Sequence, residues 1–386
     1  MAAVRQGPSA PGHCDVLILT ATAGEGHRQA ALALEAAFAR LGVRAAVLDV
    51  LNVAPRLFRV WFQGGYETLV RYGRRLWGRL YWAADRPGAA FAFQTWLDTV
   101  CLRSLDAIIR DAKPRWVICT HSVVQPRLDR LAATLGRVRW AVVITDVYPH
   151  RMWLRGSPDL LFVPHERTLE HLRVRRPDLI ERVRVTGIPV HPDFAESPDR
   201  EHSLTPDGAR RRLQVLLLAG GIGGGPLANV LDVLISTTFP LATITAVCGR
   251  NEVNRQRCLR AASRVAARSV RVEGYVPHDQ FRALLRDTDI VVGKPGGLTA
   301  FEALACGVPM VLYRPLMIPG QEEDNAKLLL HYGAAVEAQS ASELQDLVAK
   351  LIRSPDKLDS MRQAGRGLAR PSAALDIAGS IVEATS

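Results

Sequence analysis

The chain has 386 residues, 48% of them apolar, and its 49 Lys and Arg against 38 Asp and Glu give a formal charge of +11. That length suits two domains of ordinary size; no apolar run approaches the ~18 residues of a membrane-spanning helix and no signal-peptide pattern opens the chain, so a cytoplasmic protein is expected. Six cysteines without a Cys-x-x-Cys pair read as reduced core residues, not a disulfide frame or zinc site, and the charge asks for nucleic acid, anionic lipid or a phosphorylated small molecule, unless Arg is simply the solvated surface residue here.

Residues 15–20 form the first expected strand. The loop 21–26 follows with Gly24 and Gly26, and His27 begins a helix that Gly42 closes. A helix start is the positive end of the macrodipole, which disfavours imidazolium and keeps His27 neutral. A neutral histidine in a loop of small residues is what a general base requires, although a surface histidine at a helix start has the same pattern. Residues 43–50 give the next strand.

Between residues 56 and 96 the pattern changes. Trp61, Trp77, Trp82 and Trp96, four of the seven tryptophans, are interleaved with Arg, and residues 56–86 alone carry +5. Such a segment suits a helical face in the headgroup layer of an anionic membrane. A base-stacking groove uses the same residue types, and an aromatic helix pair in the core, broken at Gly64-Gly65 and Gly88, is a third reading. No zinc-finger spacing, RNA-recognition signature or long basic helix appears, so nucleic acid is not expected.

Strands at 116–120, 140–145, 160–164 and 183–187 alternate with helical patterns, which implies a parallel sheet. Sheets of this kind place ligands at their carboxyl edge, where Thr120, His121, Asp146 and His150 gather. Asp146 can orient His27, bind an acceptor hydroxyl or cap a helix. Residues 195–212 read as a linker. It divides an N-terminal domain, 1–200, from a C-terminal domain, 201–370, after which residues 371–386 form an amphipathic helix that can pack across the other domain.

The second half opens with a strand at 215–218 and a loop with five glycines in 220–225, where Gly220, Gly221 and Gly223 permit close backbone approach to a diphosphate. Strands at 242–248 and 270–272 follow, and the backbone of Val276 can pair with a base edge beside Tyr275. The strand 290–292 runs into Lys294, Gly296 and Gly297, then a helix from Leu298 that Gly307 caps. The first amides of that helix and its dipole favour a phosphate; Thr299 adds a hydroxyl, and Glu302 can accept hydrogen bonds from a ribose diol. Gln321, Glu322 and Asn325 belong to a polar cluster that opens the next helix. An ordinary βαβ turn explains either helix start alone, but the two together point to a nucleotide. Without an Asp-x-Asp pair, no metal is expected at the diphosphate.

GEGH at 24–27, TGIPVHPDF at 186–194, LLLAGGIGGG at 216–225, KPGGLTAFEALACGVP at 294–309 and PGQEEDNA at 319–326 resemble, in order and spacing over nearly the whole chain, the diacylglycerol glycosyltransferases. That family includes monogalactosyldiacylglycerol synthase and processive diacylglycerol glucosyltransferase, and is related to the peptidoglycan N-acetylglucosaminyltransferase that acts on a lipid intermediate. The resemblance implies an α/β GT-B fold, two Rossmann-like domains facing across a cleft, with a UDP-sugar in the second and a lipid acceptor on the first. It implies a base at His27, a ribose contact at Glu302, sugar-hydroxyl contacts at Gln321 and Glu322, a diphosphate loop at Gly221 and its neighbours, a uracil contact at Val276 and an acceptor-side aromatic at Trp153. The expected function is inverting transfer of a hexose from a UDP-sugar to a diacylglycerol-like membrane lipid, without a cofactor, by an enzyme peripheral on the inner face of the cell membrane. A UDP-N-acetylglucosamine-type transferase or epimerase on the same scaffold, and a non-catalytic basic membrane-binding protein, are the alternatives.

Overall fold

The computed structural model describes residues 12–22, 24–135, 138–194, 212–238, 241–265 and 269–385. Two compact units emerge, one of residues 1–68, 79–192 and 372–386 and one of residues 69–78 and 193–371. Residues 69–78 thus cluster with the second unit, and the helix near the C-terminus with the first. The expected linker, apart from Arg212, and the expected boundary at residue 200 lie outside the described residues.

The first unit holds β1 (Val16–Thr20), β2 (Ala45–Asp49), β3 (Trp116–Cys119), β4 (Arg139–Val143), β5 (Leu160–Val163) and β6 (Val183–Val185). They form one sheet in the order β2-β1-β3-β4-β5-β6, and every pairing is parallel. A parallel strand covered on both faces is apolar at consecutive positions, and β1 is buried throughout. Its side chains alternate: Leu17 and Leu19 join a core with Leu51, Val124 and Trp140, while Val16 and Ile18 join one with Leu34 and Phe38. Ala374, Ile377, Ala378 and Ile381 of the helix Ala373–Glu383 complete that second core. Trp116 Nε1 donates to Thr385 Oγ1 at 2.9 Å, so the chain end is tied to the sheet.

The second unit repeats the plan with β7 (Leu213–Leu218), β8 (Ala242–Val247), β9 (Val270–Glu273), β10 (Ile290–Gly293), β11 (Met310–Tyr313) and β12 (Ala335–Ala338), again parallel, in the order β12-β11-β10-β7-β8-β9. The connectivity reverses between β1 and β3 in the first sheet and between β7 and β10 in the second. Ligands bind outside the carboxyl ends of strands at such switch points. GEGH and Thr120-His121 follow β1 and β3; the glycine loop and Lys294–Gly297 follow β7 and β10. The fold therefore brings each pair of motifs to one place within its own unit.

The segment 56–101 is helical: Arg56–Arg59, a π-helical turn Val60–Gly64, then Gly65–Tyr72, Arg74–Ala84 and Ala89–Cys101. The break expected at Gly64-Gly65 is absent, because the wide turn runs directly into the next helix. The interruption expected at Gly88 is present, between the helices ending at Ala84 and starting at Ala89, and a further one falls at Gly73. Among the described residues no helix is long and apolar enough to cross a membrane.

Candidate active site

In the first unit His27 is the second residue of the helix Gly26–Arg40, and Gly24, at φ 100°, makes the turn that leads into it. Its Nδ1 lies 3.0 Å from the carbonyl oxygen of Thr120 and 3.0 Å from the Thr145 hydroxyl. A carbonyl only accepts, so Nδ1 carries the ring proton and Nε2 is left as the basic nitrogen. The pKa of the ring is pushed down to about 4 by burial, which outweighs the Thr120 hydrogen bond. The sequence assigns the neutral state to the helix dipole; in the structure burial is the main cause.

An aromatic surround accounts for that burial. His121 lies 4.5 Å from His27 edge-on, Trp153 lies 5.8 Å away, and Phe62 meets His121 at 5.7 Å. Asp146, in the loop after β4, accepts from Trp153 Nε1 at 3.0 Å, so its carboxylate fixes the indole that faces His27. The loop carrying Trp153 is held by groups without a sequence signature. Asp85 accepts from the Tyr148 hydroxyl and the Arg151 amide, both at 2.6 Å, and from Arg175 at 2.9 Å. Arg155, fully enclosed, pairs with Asp98 at 2.7 Å. Burial raises the Asp98 pKa to about 6 against the pull of Arg155.

In the second unit the loops after β7, β8, β10 and β11 converge. Gly220 and Gly223 adopt φ of 72° and 64°. A Cβ on Gly223 would lie 1.9 Å from the Cys248 carbonyl oxygen, and one on Gly220 would lie 2.9 Å from Lys294 Cε. The Gly223 amide donates to the Gly220 carbonyl at 2.9 Å, and the Gly223 carbonyl accepts from Asn251 and Asn254 at 2.9 and 2.7 Å. Gly223 therefore shapes the turn, and the carbonyl of Gly221, two residues before it, accepts from the Arg250 amide at 3.0 Å.

The helix Gly297–Ala305 starts beside this loop. Ala300 is the first residue whose amide bonds back along it, to Gly296 at 3.0 Å, so the amides of Gly297, Leu298 and Thr299 are the first-turn donors. Lys294 pairs with one oxygen of Glu322, and the other accepts from the Ile318 amide at 2.7 Å. Asn325 Nδ2 donates to the Pro295 carbonyl at 3.0 Å. These bonds tie the glycine turn to the start of the helix Glu323–His331, just after Gln321. Glu302 is buried, and burial pushes its pKa up to about 8, with His278 Nδ1 at 4.0 Å. At neutral pH its carboxyl thus holds a proton that the sequence gives no reason to expect. Beside Val276, Arg250 stacks over Tyr275 at 4.8 Å and makes a flat, polar-edged shelf.

Sequence reasoning does not single out Thr145, Asn251, Asn254, Arg250 or His278. Only Asn251 carries a usable signal, as the helix cap whose side chain accepts from the Asn254 amide at 3.0 Å. Trp61 and Trp82 lie in the first unit, partly exposed, and Trp77 lies in the second. Leu57, Trp61, Phe93 and Trp96 of the first unit are more than half exposed, the least of them 54%.

Residues 27–190 match the family of monogalactosyldiacylglycerol (MGDG) synthase and residues 242–368 that of glycosyl transferases group 1. The processive diacylglycerol beta-glucosyltransferase of Bacillus cytotoxicus is 29% identical over 371 residues, covering 95% of this chain and 93% of its own. That of Bacillus pumilus is 29% identical over 361 residues, covering 92% and 90%. Among solved structures, Acinetobacter baumannii MurG superposes with a TM-score of 0.60 at 18% identity over 97% of this chain and 100% of that one. The UDP-GlcNAc 2-epimerase of Neisseria meningitidis bound to UDP-GlcNAc gives 0.61 at 15% identity over 95% and 99%. Likeness at that identity carries the fold alone, and the fold is the α/β GT-B class that the sequence implies.

Proposed function

We propose that this glycosyltransferase, whose residues 27–190 match the monogalactosyldiacylglycerol synthase family and residues 242–368 the group 1 glycosyl transferases, moves a hexose from a UDP-sugar to diacylglycerol in glycolipid synthesis. The observation that carries the mechanism is the tautomer of His27. With Nδ1 committed to Thr120, Nε2 takes the proton of the acceptor hydroxyl. The freed oxygen bonds to the anomeric carbon from the face opposite the leaving group, and the bond from that carbon to the β-phosphate oxygen breaks with its electron pair going to UDP. Configuration inverts, and a β-glycoside results.

The second unit supplies the donor side. Amides of the glycine loop and of Gly297, Leu298 and Thr299 receive the charge that develops on UDP, which is usually the larger contribution to rate. Glu302 engages the ribose and Val276 the uracil, with Tyr275 and Arg250 beside it. Gln321 and Glu322 address the sugar. The apolar wall of Phe62 and Trp153 receives the glycerol end of the lipid, and the exposed aromatic residues between Leu57 and Trp96 seat the protein on the cytoplasmic face of an anionic membrane.

Mass spectrometry of lipid products after incubation with diacylglycerol vesicles and a mixture of UDP-sugars tests this reading. A hexosylated diacylglycerol is the expected product. Equal consumption of UDP-sugar with and without lipid would instead indicate an epimerase-type reaction and overturn it.

A further inference from the structure

The helix Arg74–Ala84 begins in the stretch that clusters with the second unit, and Arg74 and Gly78 stand one turn apart on one face of it. Arg74 donates through Nη1 to the carbonyl of Pro315 and through Nη2 to that of Met317. At Gly78 a Cβ would lie 2.8 Å from Pro319 Cβ, so the absence of a side chain lets this face close onto the loop after β11. That loop touches both halves of the donor crevice. At one end Leu316 Cδ2 lies 2.8 Å from where Gly225 would carry a Cβ, and Arg74 Nη1 lies 3.5 Å from the same point. At the other end Glu322 binds Lys294 and the Ile318 amide. Two carbonyls, on residues either side of Leu316, held by one planar fork is a geometry that a guanidinium provides and an ammonium does not.

We propose that Arg74 is a positioning residue for the donor: it fixes the loop of residues 314–322, and through it the placement of Glu322 and Lys294 relative to the bound UDP-sugar. This rests on the donor-site reading above. The nucleoside end of that site is made by Val276 and Glu302, so Arg74 governs the sugar end and leaves the grip on UDP nearly unchanged. Burial lowers the Arg74 pKa from its ordinary value and the nearby charge of Glu322 opposes that shift, so the cation and this carboxylate sense one another.

The test compares Arg74→Ala, Arg74→Lys and Gly78→Ala with the wild type, reading UDP affinity by calorimetry and kcat/KM for UDP-sugar and for diacylglycerol. We expect both Arg74 variants to lose at least about tenfold in kcat/KM for UDP-sugar, the cost of a misplaced reactant. UDP affinity is expected to stay within about twofold and KM for diacylglycerol to stay unchanged. Gly78→Ala, which displaces the same loop by another route, gives the same split and carries the test if an Arg74 variant fails to fold. A fully active Lys variant, or UDP affinity falling in step with kcat/KM, overturns the assignment. A wild-type protein that does not bind UDP overturns the donor-site reading itself, which separates the two failures.

Discussion

Thr120 holds His27 at both ends of the residue: its carbonyl accepts from the imidazole Nδ1 and its hydroxyl donates to the His27 carbonyl, each at 3.0 Å. Ring tautomer and helix start are set by one neighbour just past the end of β3, across the point where the strand order reverses. His27→Ala is expected to lower kcat by about 10²–10⁴-fold while the melting shift caused by UDP stays as in the wild type. Full turnover in this variant would remove the base from the mechanism.

The depressed pKa of His27 sets a sign for its pH dependence. The ring must be neutral to act and its folded pKa is about 4, so kcat/KM is expected to stay level from pH 8 to about 5 in this respect and to show no His27 limb near 6.5. Between 6.5 and 4 the unfolded chain binds the extra proton, so this group's support for the fold is complete above 6.5 and lost as pH falls to 4. His27→Gln removes that dependence. Denaturation at pH 7 and pH 4.5 should show the variant gaining on the wild type by up to roughly 3 kcal/mol at the lower pH; an unchanged difference would count against burial as the cause.

Glu302 titrates in the opposite sense. With its pKa near 8 the Glu302 carboxyl is protonated at pH 7, and on the proposed role accepting two ribose hydroxyls would draw out the carboxylate. UDP binding at pH 7 is therefore expected to release roughly one more proton per site in the wild type than in Glu302→Gln. Calorimetry in two buffers of different ionisation enthalpy measures it, and identical release from both proteins contradicts the role.

Adjacent glycines in the proposed diphosphate loop are expected to respond differently. Gly223→Ala forces a side chain onto the Cys248 carbonyl at positive φ, and should cost about 2 kcal/mol or more and abolish the UDP melting shift. Gly224→Ala meets open space and should be close to neutral. Thermal melting with and without UDP compares the two.

The exposed tryptophans give a prediction for the lipid surface. Trp61 and Trp96 are 54% and 57% exposed, more than folding alone explains for such large apolar groups. Replacing both by Ser is expected to weaken sedimentation with anionic vesicles by roughly tenfold or more and to leave the UDP melting shift intact. Equal recovery of the wild type with neutral and anionic vesicles would argue against a charged surface as partner.

What the sequence reveals follows from how local each feature is. The strand–loop–helix units are legible because β1, β7 and β10 are short apolar runs that end at glycine loops, and Gly307, at φ 65°, caps its helix as its position suggests. His27, Glu302 and the glycine loops are legible as residue types at helix starts. Gly64-Gly65 misleads because glycine permits a break without requiring one. Arg74 is invisible because its partners are carbonyls of Pro315 and Met317, and a carbonyl is the same at every residue. The titration of Glu302 is hidden for a related reason: burial is a property of everything packed around a carboxyl, not of the carboxyl.

The return of Ala373–Glu383 to the first unit orders biosynthesis. Its four inward side chains close a core whose other walls, Ile18 and Phe38 among them, are translated more than 330 residues earlier. A nascent N-terminal half therefore waits with one flank of its sheet uncovered while the entire second half is made, in the interval when chaperone contact and misassembly compete with folding. The earliest half to leave the ribosome is the latest to be sealed.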